Sequence, residues 1–354
     1  MRLLEKTIKA IYPQDSSARD QVRQRLDALA MPHWALGDVM DLAVDLAGIM
    51  GTAQPHIAKK AIVTMAADHG VVAEGVSKYP SEVTAQMVAN FVQGGAAINA
   101  LARQARADVF IADLGVAADL SEYSATLIDK KIAYGTKNIA RGPAMSNAHA
   151  SLALEAGIEI GNELVAKGYD LLATGEMGIG NTTAATAIAA VCTDRLVEEL
   201  TGRGAGLDDA QLAHKIKVID EVLKVNTPNP KNGIEILAKV GGYEIGGMAG
   251  LILSAAANRK PVLVDGFIAG AAALVAYRIE PFVRDYLIYS HRSVEPGHKY
   301  ILEFLGCQRP LLDLNLRLGE GTGAALAMNI VEAAIAVLTE VRTFEEAAVS
   351  EATR

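Results

Sequence analysis

The sequence predicts an α/β fold in which helices cover both faces of a mostly parallel, doubly wound sheet. From about residue 60 onward, short apolar segments that end in glycine or a polar residue alternate with helical stretches. Several of these segments are apolar throughout, which is typical of strands buried on both faces. Aromatic residues make up only 5% of the chain whereas alanine and glycine are abundant, which favours close-packed helices on a sheet over a β-sandwich.

The predicted strands are separated by helical segments, the order expected of right-handed βαβ units. The strands are residues 61–68, 108–115, 131–136, 170–176, 261–267, 286–292 and 314–319. Helices between or after them include residues 144–167, 181–200, 246–258 and 324–341.

Both ends of the chain are predicted to be helical and to form a small lobe beside the sheet. Residues 17–50 show helical periodicity that is interrupted near Pro32. With 354 residues, the chain is long enough for about two domains. We therefore divide it into an N-terminal helical segment (1–58), an α/β catalytic domain (59–323) and C-terminal helices that join the first segment (324–354).

Composition excludes several classes of partner. The formal net charge is −8 and lysine and arginine are dispersed, so the basic stripe of a nucleic-acid-binding protein is missing. Cys192 and Cys307 are far apart, which argues against a disulfide framework and fits a reducing compartment. The richest apolar runs, 246–258 and 266–277, are shorter than the roughly 20 residues that span a bilayer. We expect a cytoplasmic protein with no nucleic-acid or membrane partner.

Five predicted strands are followed by polar segments, and four of these segments contain glycine. In an open α/β sheet, ligands bind beyond the carboxyl ends of the strands. The five segments are "DHG" (68–70), "GEMGIGNTT" (175–183), "DGF" (265–267), "SHRS" (290–293) and "GEGTG" (319–323). One such segment would be an ordinary turn, but five together predict a ligand site at this edge of the sheet.

The segment "GEMGIGNTT" is a glycine-rich turn that leads into a helix, where free amides favour an anion. Its Gly175–Gly180 spacing matches a Walker A loop, but Asn181 replaces the lysine that clamps a triphosphate. It also lacks the GxGxxG pattern, because Thr183 holds the last position. The segment predicts a site for a single phosphate. The alternative is a plain strand–helix turn capped by Asn181 or Thr182.

Two glutamates lie in these glycine-rich segments. Glu320 stands between glycines just before an apolar helix, and Glu176 follows a predicted strand. Either carboxylate would complement the dipole of the helix that follows it. The alternative is that the glycines admit a ligand on which Glu320 acts.

Histidines and lysines near these segments leave their roles open. His69 is either a structural residue or an acid–base group. Lys215 and Lys217 lie on one predicted helix, as phosphate ligands or as part of a solvated face. His291 and His298 lack metal-ligand spacing, so no metal site is predicted.

Taken together, the motifs resemble those of the nicotinate-nucleotide–dimethylbenzimidazole phosphoribosyltransferase family. The resemblance extends from about residue 60 to 330 and keeps the family's order of motifs. Its segments are "DHGVVAEGVSKYPSEVTAQMVANFVQGGAAIN", "KNIARGPAM", "TGEMGIGNTTAA", "GRGAGLDD", "VDGFIAGAAAL", "SHRSVEPGH" and "LRLGEGTGAALAM".

This resemblance implies a reaction and a fold. Nicotinate mononucleotide would give its phosphoribosyl group to 5,6-dimethylbenzimidazole, with inversion at the anomeric carbon. The products would be nicotinate and α-ribazole 5′-phosphate, which carries the lower ligand of cobalamin. The resemblance also implies a Rossmann-like domain joined by a small helical domain from both chain ends, a homodimer, no cofactor and only small-molecule substrates.

The resemblance also implies roles for particular residues. Glu320 would be the catalytic base and Glu176 a second active-site carboxylate. Residues predicted to bind the phosphate or the rest of the nucleotide are Gly178, Ile179, Gly180, Asn181, Thr182, Lys215, Asp265, Ser293, Arg317, Gly321 and Gly323. The pocket for the acceptor base would contain Ser81, Gln86, Met87 and Leu318.

Other classes of function remain as alternatives. A nucleotide-sensing, non-catalytic module would use the phosphate loop but would have no use for Glu320. Another mononucleotide-using transferase would share both features. An oxidoreductase or a kinase is disfavoured because the GxGxxG pattern and the Walker lysine are missing.

Overall fold

A computed structural model describes residues 2–204 and 206–350. Its main sheet is parallel, with the strand order β3-β2-β1-β4-β5-β6. The strands are β1 (Lys60–Ala67), β2 (Asp108–Gly115), β3 (Ile128–Asp129), β4 (Leu171–Met177), β5 (Val262–Val264) and β6 (Leu287–Tyr289). This is the order of doubly wound nucleotide-binding folds, and it reverses between β1 and β4. The predicted fold class is confirmed.

Helices pack against both faces of this sheet. They are α1 (Leu3–Lys9), α2 (Ser16–Asp27), α3 (Asp38–Met50), α4 (Glu82–Val92), α5 (Ala97–Ala105), α6 (Asn147–Ala166), α7 (Asn181–Thr193), α8 (Val197–Leu200), α9 (Asp209–Asn226), α10 (Gly233–Val240), α11 (Tyr243–Ala257), α12 (Phe267–Ile279), α13 (Pro296–Phe304), α14 (Thr322–Glu340) and α15 (Phe344–Ala347). A separate parallel pair consists of β7 (His291–Ser293) and β8 (Leu312–Leu316).

The two hydrophobic clusters of the core lie on opposite faces of the sheet. On β1, Val63 and Met65 join the cluster that includes α6, α11 and α12. Ile62 and Ala66 point the other way, into the cluster that includes α3, α5 and α14. Side chains of a strand alternate between faces, so a strand covered on both sides must be apolar throughout. All of β1 is buried.

Four predicted elements differ from the observed ones. The strand predicted at residues 314–319 is β8 (Leu312–Leu316), which pairs with β7 outside the main sheet. Residues 131–136 do not form a strand, and the edge strand is the shorter β3. The backbone N–H of Ile132 still donates to Leu114 O, but the chain turns at Gly135, whose φ is +83°. Residues 286–292 divide into β6 and β7. The predicted helix 181–200 divides into α7 and α8, because Asp194 adopts a left-handed conformation with a φ of +55°.

The two ends of the chain meet beside the sheet. The backbone N–H of Ala30 donates to Arg342 O, and that of Phe344 donates to Ala28 O. α14 packs against both α3 and the sheet, so it belongs to the main core as well as to the chain ends. Among the described residues, α14 is the one helix long and apolar enough to cross a membrane. Half of its most apolar stretch is buried inside the protein. The predicted domain boundaries (1–58, 59–323 and 324–354) stay a prediction.

Candidate active site

Besides Asp68 after β1 and Asp113 in β2, four buried carboxyl groups lie near the carboxyl ends of the central strands. They belong to Glu176 at the end of β4, Glu244 in the first turn of α11, Asp265 after β5, and Glu320. Each of these residues is at most 7% exposed. Buried carboxylates are costly unless they are hydrogen-bonded or paired, so the partners of each group indicate what it does.

Glu320 is held by backbone contacts on three sides. Its φ is +63°, an uncommon value for a residue with a side chain. Its N–H donates to Glu176 O at 3.2 Å, and its carbonyl oxygen accepts from Thr64 Oγ1 at 2.8 Å. Oε2 of its carboxylate accepts from the backbone N–H of Ile98 at 3.1 Å. Because Ile98 lies in the first turn of α5, the positive end of that helix stabilises the charge.

The helix that follows Glu320 has a different carboxylate at its N-terminus. Oδ1 of Asp265 accepts from Ala324 N at 2.9 Å, and Oδ2 accepts from Gly321 N at 3.2 Å. The prediction that Glu320 would complement the dipole of this helix is therefore wrong, because Glu320 reaches α5 instead. Burial raises the pKa of Asp265 to about 7, although the amides of α14 oppose this shift.

This arrangement also changes the interpretation of two glycines. The Gly321 amide, predicted to contact the ribosyl phosphate, is already bonded to Asp265 in this conformation. A Cβ on Gly323 would overlap the ring of His291, so this glycine permits close packing. Asp265 itself is 2% exposed and turns towards α14 rather than towards an open cavity.

Glu176 forms the link between Glu320 and the glycine-rich loop. Its Oε2 accepts a hydrogen bond from Nδ2 of Asn181, the first residue of α7. Burial raises the pKa of Glu176 to about 8; the hydrogen bond from Asn181 opposes the shift, and the carboxyl groups of Glu244, Asp265 and Glu320 add to it. Glu176 therefore holds a proton more readily than an exposed glutamate does.

The glycine-rich loop, residues 178–182, enters α7 through close backbone packing. Gly180 caps α7 with a φ of +92°, and a Cβ there would lie 2.7 Å from Val72 Cγ2. The backbone N–H of Ile179 donates to Thr84 Oγ1 of α4 at 3.1 Å, so the Ile179 amide is occupied in this conformation. Thr84 was missed by sequence analysis because it reads as an ordinary helix residue.

Lys215 is a buried cation at the N-terminus of α7. It is 1% exposed, and its Nζ donates to Thr182 Oγ1 at 2.8 Å. Burial lowers the pKa of Lys215 to about 8, against the opposing charge of Glu295. An ammonium group beside the positive end of a helix is electrostatically unfavourable unless an anion binds there. Lys215 and Lys217 both lie on α9, but the side chain of Lys217 is exposed. Of the two lysines, the structure therefore places only Lys215 beside the N-terminus of α7.

Ser293 and Arg317 were also predicted to bind the nucleotide, and their contacts differ. Ser293 is 8% exposed; its N–H donates to His298 Nδ1, and its Oγ accepts from Glu295 N. Arg317 is exposed, and its guanidinium donates to Gly204 O at 3.4 Å. The structure therefore brings Arg317 towards the loop that precedes α9, whereas Ser293 is engaged with its own neighbours.

The residues predicted to bind the acceptor base are less enclosed. Ser81 is half-buried at the start of α4 and makes no side-chain capping bond. Gln86 is exposed, Met87 is half-buried, and Leu318 is 58% exposed beside Glu320. Their role stays a prediction.

In the described part of the chain, no group of three or more histidine, cysteine, aspartate or glutamate residues is arranged to hold a metal ion. His69 is not open to the site either. Its Nε2 lies 2.6 Å from Glu244 Oε1, and both side chains are at most 1% exposed. Glu244 was missed by sequence analysis, although a single carboxylate in the apolar segment "GGYEIGGMAGLILSAAA" (241–257) is a usable signal.

The raised pKa of Glu176 predicts how the free energy of unfolding depends on pH. The folded protein holds this proton up to about pH 8, whereas the unfolded chain releases it near pH 4.5. Since the folded state then binds more protons, its free energy of unfolding falls as pH rises through this window. We expect Glu176→Gln to flatten this decline by up to about 1.4 kcal/mol per pH unit, measured by chemical denaturation. The exposed Glu163→Gln on α6 should leave the slope unchanged, and an equal slope in both variants would contradict the assignment.

The fold and the site define the class of protein: an α/β protein with a glycine-rich helix N-terminus and a buried lysine beside a cluster of buried carboxyl groups. A family profile described as "Phosphoribosyltransferase" matches residues 11–349. The nicotinate-nucleotide–dimethylbenzimidazole phosphoribosyltransferase of Desulfotalea psychrophila is 61% identical over 352 residues, which cover 99% of each chain. The enzyme of the same name from Syntrophotalea carbinolica is 54% identical, again over 99% of each chain.

Solved structures agree with these comparisons. A crystal structure of nicotinate-nucleotide–dimethylbenzimidazole phosphoribosyltransferase from Thermus thermophilus superposes with a TM-score of 0.90 at 44% identity. The superposition covers 96% of this chain and 100% of the other. The chain belongs to the nicotinate-nucleotide–dimethylbenzimidazole phosphoribosyltransferase family.

Proposed function

We propose that this enzyme transfers the phosphoribosyl group of nicotinate mononucleotide to 5,6-dimethylbenzimidazole, with inversion at C1′. The products are nicotinate and α-ribazole 5′-phosphate, in the assembly of the lower ligand of cobalamin. The observation that carries the proposal is the Glu320 carboxylate, buried to 5% exposure and fixed by Ile98 N beside a phosphate-binding helix end. The names of its relatives support the choice of substrates.

The first substrate would bind through its phosphate. The positive end of the α7 dipole and the ammonium of Lys215 supply positive charge in a buried position, with Thr182 Oγ1 hydrogen-bonded to Lys215. A dianionic monophosphate matches this charge. The loop packs directly against Val72 and Thr84. The missing GxGxxG pattern and the missing Walker lysine favour a single phosphate, as in a mononucleotide.

Glu320 would act as the base for the second substrate. One ring nitrogen of the benzimidazole attacks C1′ while the other carries a proton. The Glu320 carboxylate takes that proton as the new C–N bond forms, and the electrons of the broken bond return to the pyridinium nitrogen of the leaving nicotinate. Departure therefore needs no acid. Burial raises the pKa of Glu320, which makes it a stronger base than an exposed glutamate.

The transition state would have oxocarbenium character at C1′. The chain contributes mainly by holding two reactants in line and by surrounding the developing charge with fixed dipoles and carboxylates. Glu176, hydrogen-bonded to Asn181, lies between the phosphate loop and Glu320 and supports both.

A product assay separates this function from the alternatives. The enzyme is incubated with nicotinate mononucleotide and a panel of benzimidazoles, purines and phenols, and the products are resolved by chromatography. Formation of α-ribazole 5′-phosphate supports the proposal. A nucleotide sensor would bind the mononucleotide without product, and another transferase would consume it only with a different acceptor.

We also infer that the enzyme acts as a cytoplasmic homodimer with small molecules as its substrates. Leu314 on β8 and Leu318, two residues before Glu320, are each more than half exposed, which supports an apolar contact with a second copy of the chain. The cysteines Cys192 and Cys307 are free, as expected in a reducing compartment. Sedimentation analysis should show twice the chain mass, and a monomer would contradict the inference.

The phosphate assignment predicts the effect of Asn181→Asp. The change replaces the amide that donates to Glu176 with a second carboxylate at the start of α7. Repulsion of the bound phosphate should raise the Kd for nicotinate mononucleotide by about tenfold or more, equivalent to about 1.4 kcal/mol, measured by calorimetry. Asn181→Ala removes the donor without adding charge and should have a smaller effect. Unchanged affinity in the Asn181→Asp variant would show that the phosphate does not bind at the start of α7.

A further inference from the structure

A buried histidine–glutamate pair lies directly beneath the glycine-rich loop (residues 178–182), which is the phosphate-binding loop of the proposed function. His69 follows β1, and Glu244 occupies the first turn of α11. His69 Nε2 is 2.6 Å from Glu244 Oε1, and the two side chains are 1% and 0% exposed. Neither group is accessible to a substrate, so the reaction described above does not use them.

The pair contacts the loop through its glycines. A Cβ on Gly178 would lie 3.4 Å from both His69 Cδ2 and Glu244 Oε1, and one on Gly180 would lie 3.4 Å from His69 Cβ. The His69 side chain therefore forms part of the surface against which the loop packs, together with Ala67 O and Val72 Cγ2. On the opposite side, a Cβ on Gly242 would overlap His69 Cε1 and lie 2.6 Å from Glu244 Oε2. The ring is enclosed between two glycine segments.

The pair is also expensive to bury. Glu244 Oε2 has no hydrogen-bond partner, although the first turn of α11 favours a negative charge at this position. A chain that needed only packing would be better served by an apolar pair of similar volume. Hydrogen bonding fixes the orientation of the ring, whereas an apolar residue would leave it free to rotate. Orientation matters here because the loop packs against one edge of the ring.

We propose that His69 is a positioning residue for the phosphate-binding loop, held in orientation by Glu244. The ring sets the height and tilt of residues 178–180, and through them the direction of the amides at the start of α7. It also keeps Asn181 in place to donate to Glu176. His69 acts on the phosphate only through this loop. The inference rests on the proposed function for the identity of the nucleotide, but not for the presence of a phosphate site.

The test measures phosphate binding separately from turnover. His69→Ala, Glu244→Ala and the double variant are titrated with inorganic phosphate and with nicotinate mononucleotide by calorimetry, and kcat and both KM values are measured. We expect each single variant to raise the Kd for phosphate and the KM for the nucleotide by about tenfold, because the loop is no longer held in the orientation that binds phosphate. We expect kcat and the KM for dimethylbenzimidazole to change by less than about threefold. Because the two residues act as a unit, the double variant should be no worse than either single variant.

Two further variants distinguish positioning from stability. His69→Gln provides an amide N–H that can donate to Glu244 and should recover most of the affinity. His149→Ala is the matched control, because His149 Nδ1 lies 3.1 Å from the hydroxyl of Tyr243, the residue next to Glu244, without touching the loop. It should lower the Tm and leave phosphate affinity unchanged.

If His69→Ala does not fold, Gly242→Ala decides the question. This change keeps both side chains but pushes the ring and the carboxylate out of place. A selective loss of phosphate affinity supports the inference, and it does so even if no ribosyl product forms, a result that would count against the proposed function alone. Wild-type phosphate affinity in folded variants, or additive effects in the double variant, would overturn it.

Discussion

Replacing Glu320 with glutamine should lower kcat by about 10²–10⁴-fold, the usual contribution of a general base. The amide cannot take the proton from the incoming heterocycle. Its oxygen can still accept from Ile98 N, so the loop and the fold should remain in place. We therefore expect the Kd for nicotinate mononucleotide to stay close to that of the wild type. Product formation is followed by chromatography and nucleotide binding by calorimetry.

The matched control for this variant is Glu332→Gln, the same chemical change on α14. Glu332 Oε1 lies 2.6 Å from Lys60 Nζ. The hydrogen bonds described above for Glu176, Asp265 and Glu320 do not involve this pair. Its loss should affect stability and leave turnover intact. Near-wild-type product formation by Glu320→Gln would show that another group removes the proton.

The pH profile provides an independent check of the same assignment. Burial raises the pKa of Glu320 above its ordinary value of 4.5, and only the ionised form can act as a base. Activity should therefore fall as pH decreases through this raised pKa. The acid limb of kcat/KM should lie above that of an exposed glutamate, and it should disappear in Glu320→Gln.

Replacing Gly319 with alanine should lower kcat by about 10²-fold, the cost of a misplaced catalytic group. Gly319 has a φ of +87°, and a Cβ there would overlap Glu176 Oε1. Relief of this overlap must move either Glu176 or the backbone that carries Glu320. The change should be measured as kcat for the folded enzyme together with the free energy of unfolding.

Gly168→Ala isolates the backbone contribution to this effect. Gly168 has a nearly equal φ of +83°, but no atom lies within 4 Å of an added Cβ. Both variants should lose about 1–2 kcal/mol of stability from the left-handed conformation. Only Gly319→Ala should lose activity. An equal loss of activity in both, or in neither, would contradict the role given to the contact with Glu176.

The sequence predicted the edge of the sheet at which the site forms because that information is local. Strands buried on both faces are apolar throughout, and the residues that follow them are polar or glycine. The "GEMGIGNTT" segment likewise carries its own signals for a strand, a turn and a helix start. The failure at residues 131–136 has the same origin, because an edge segment that bends at Gly135 resembles a strand in composition.

The partners of the carboxylates could not be predicted in this way. The sequence left open whether Glu320 complements the dipole of its own helix or acts on a ligand, and it gave no sign that the carboxylate bonds to Ile98, 222 positions away. The carboxylate of Asp265 accepts a hydrogen bond at the N-terminus of α14 from Ala324 N, 59 positions away in the sequence. Glu244 was overlooked because its function depends on His69, which lies 175 positions from it.

By itself, the sequence determined the doubly wound fold, the glycine-rich turn that leads into α7 and the family, since each depends on residue types at short spacing. The tertiary structure alone decided which carboxylate meets which helix end. It also decided that Asp265 occupies the Gly321 amide and that His69 lies under the loop. The physical reason is that burial and pairing of a charge depend on distant segments brought together by the sheet, and no local pattern records which ones meet.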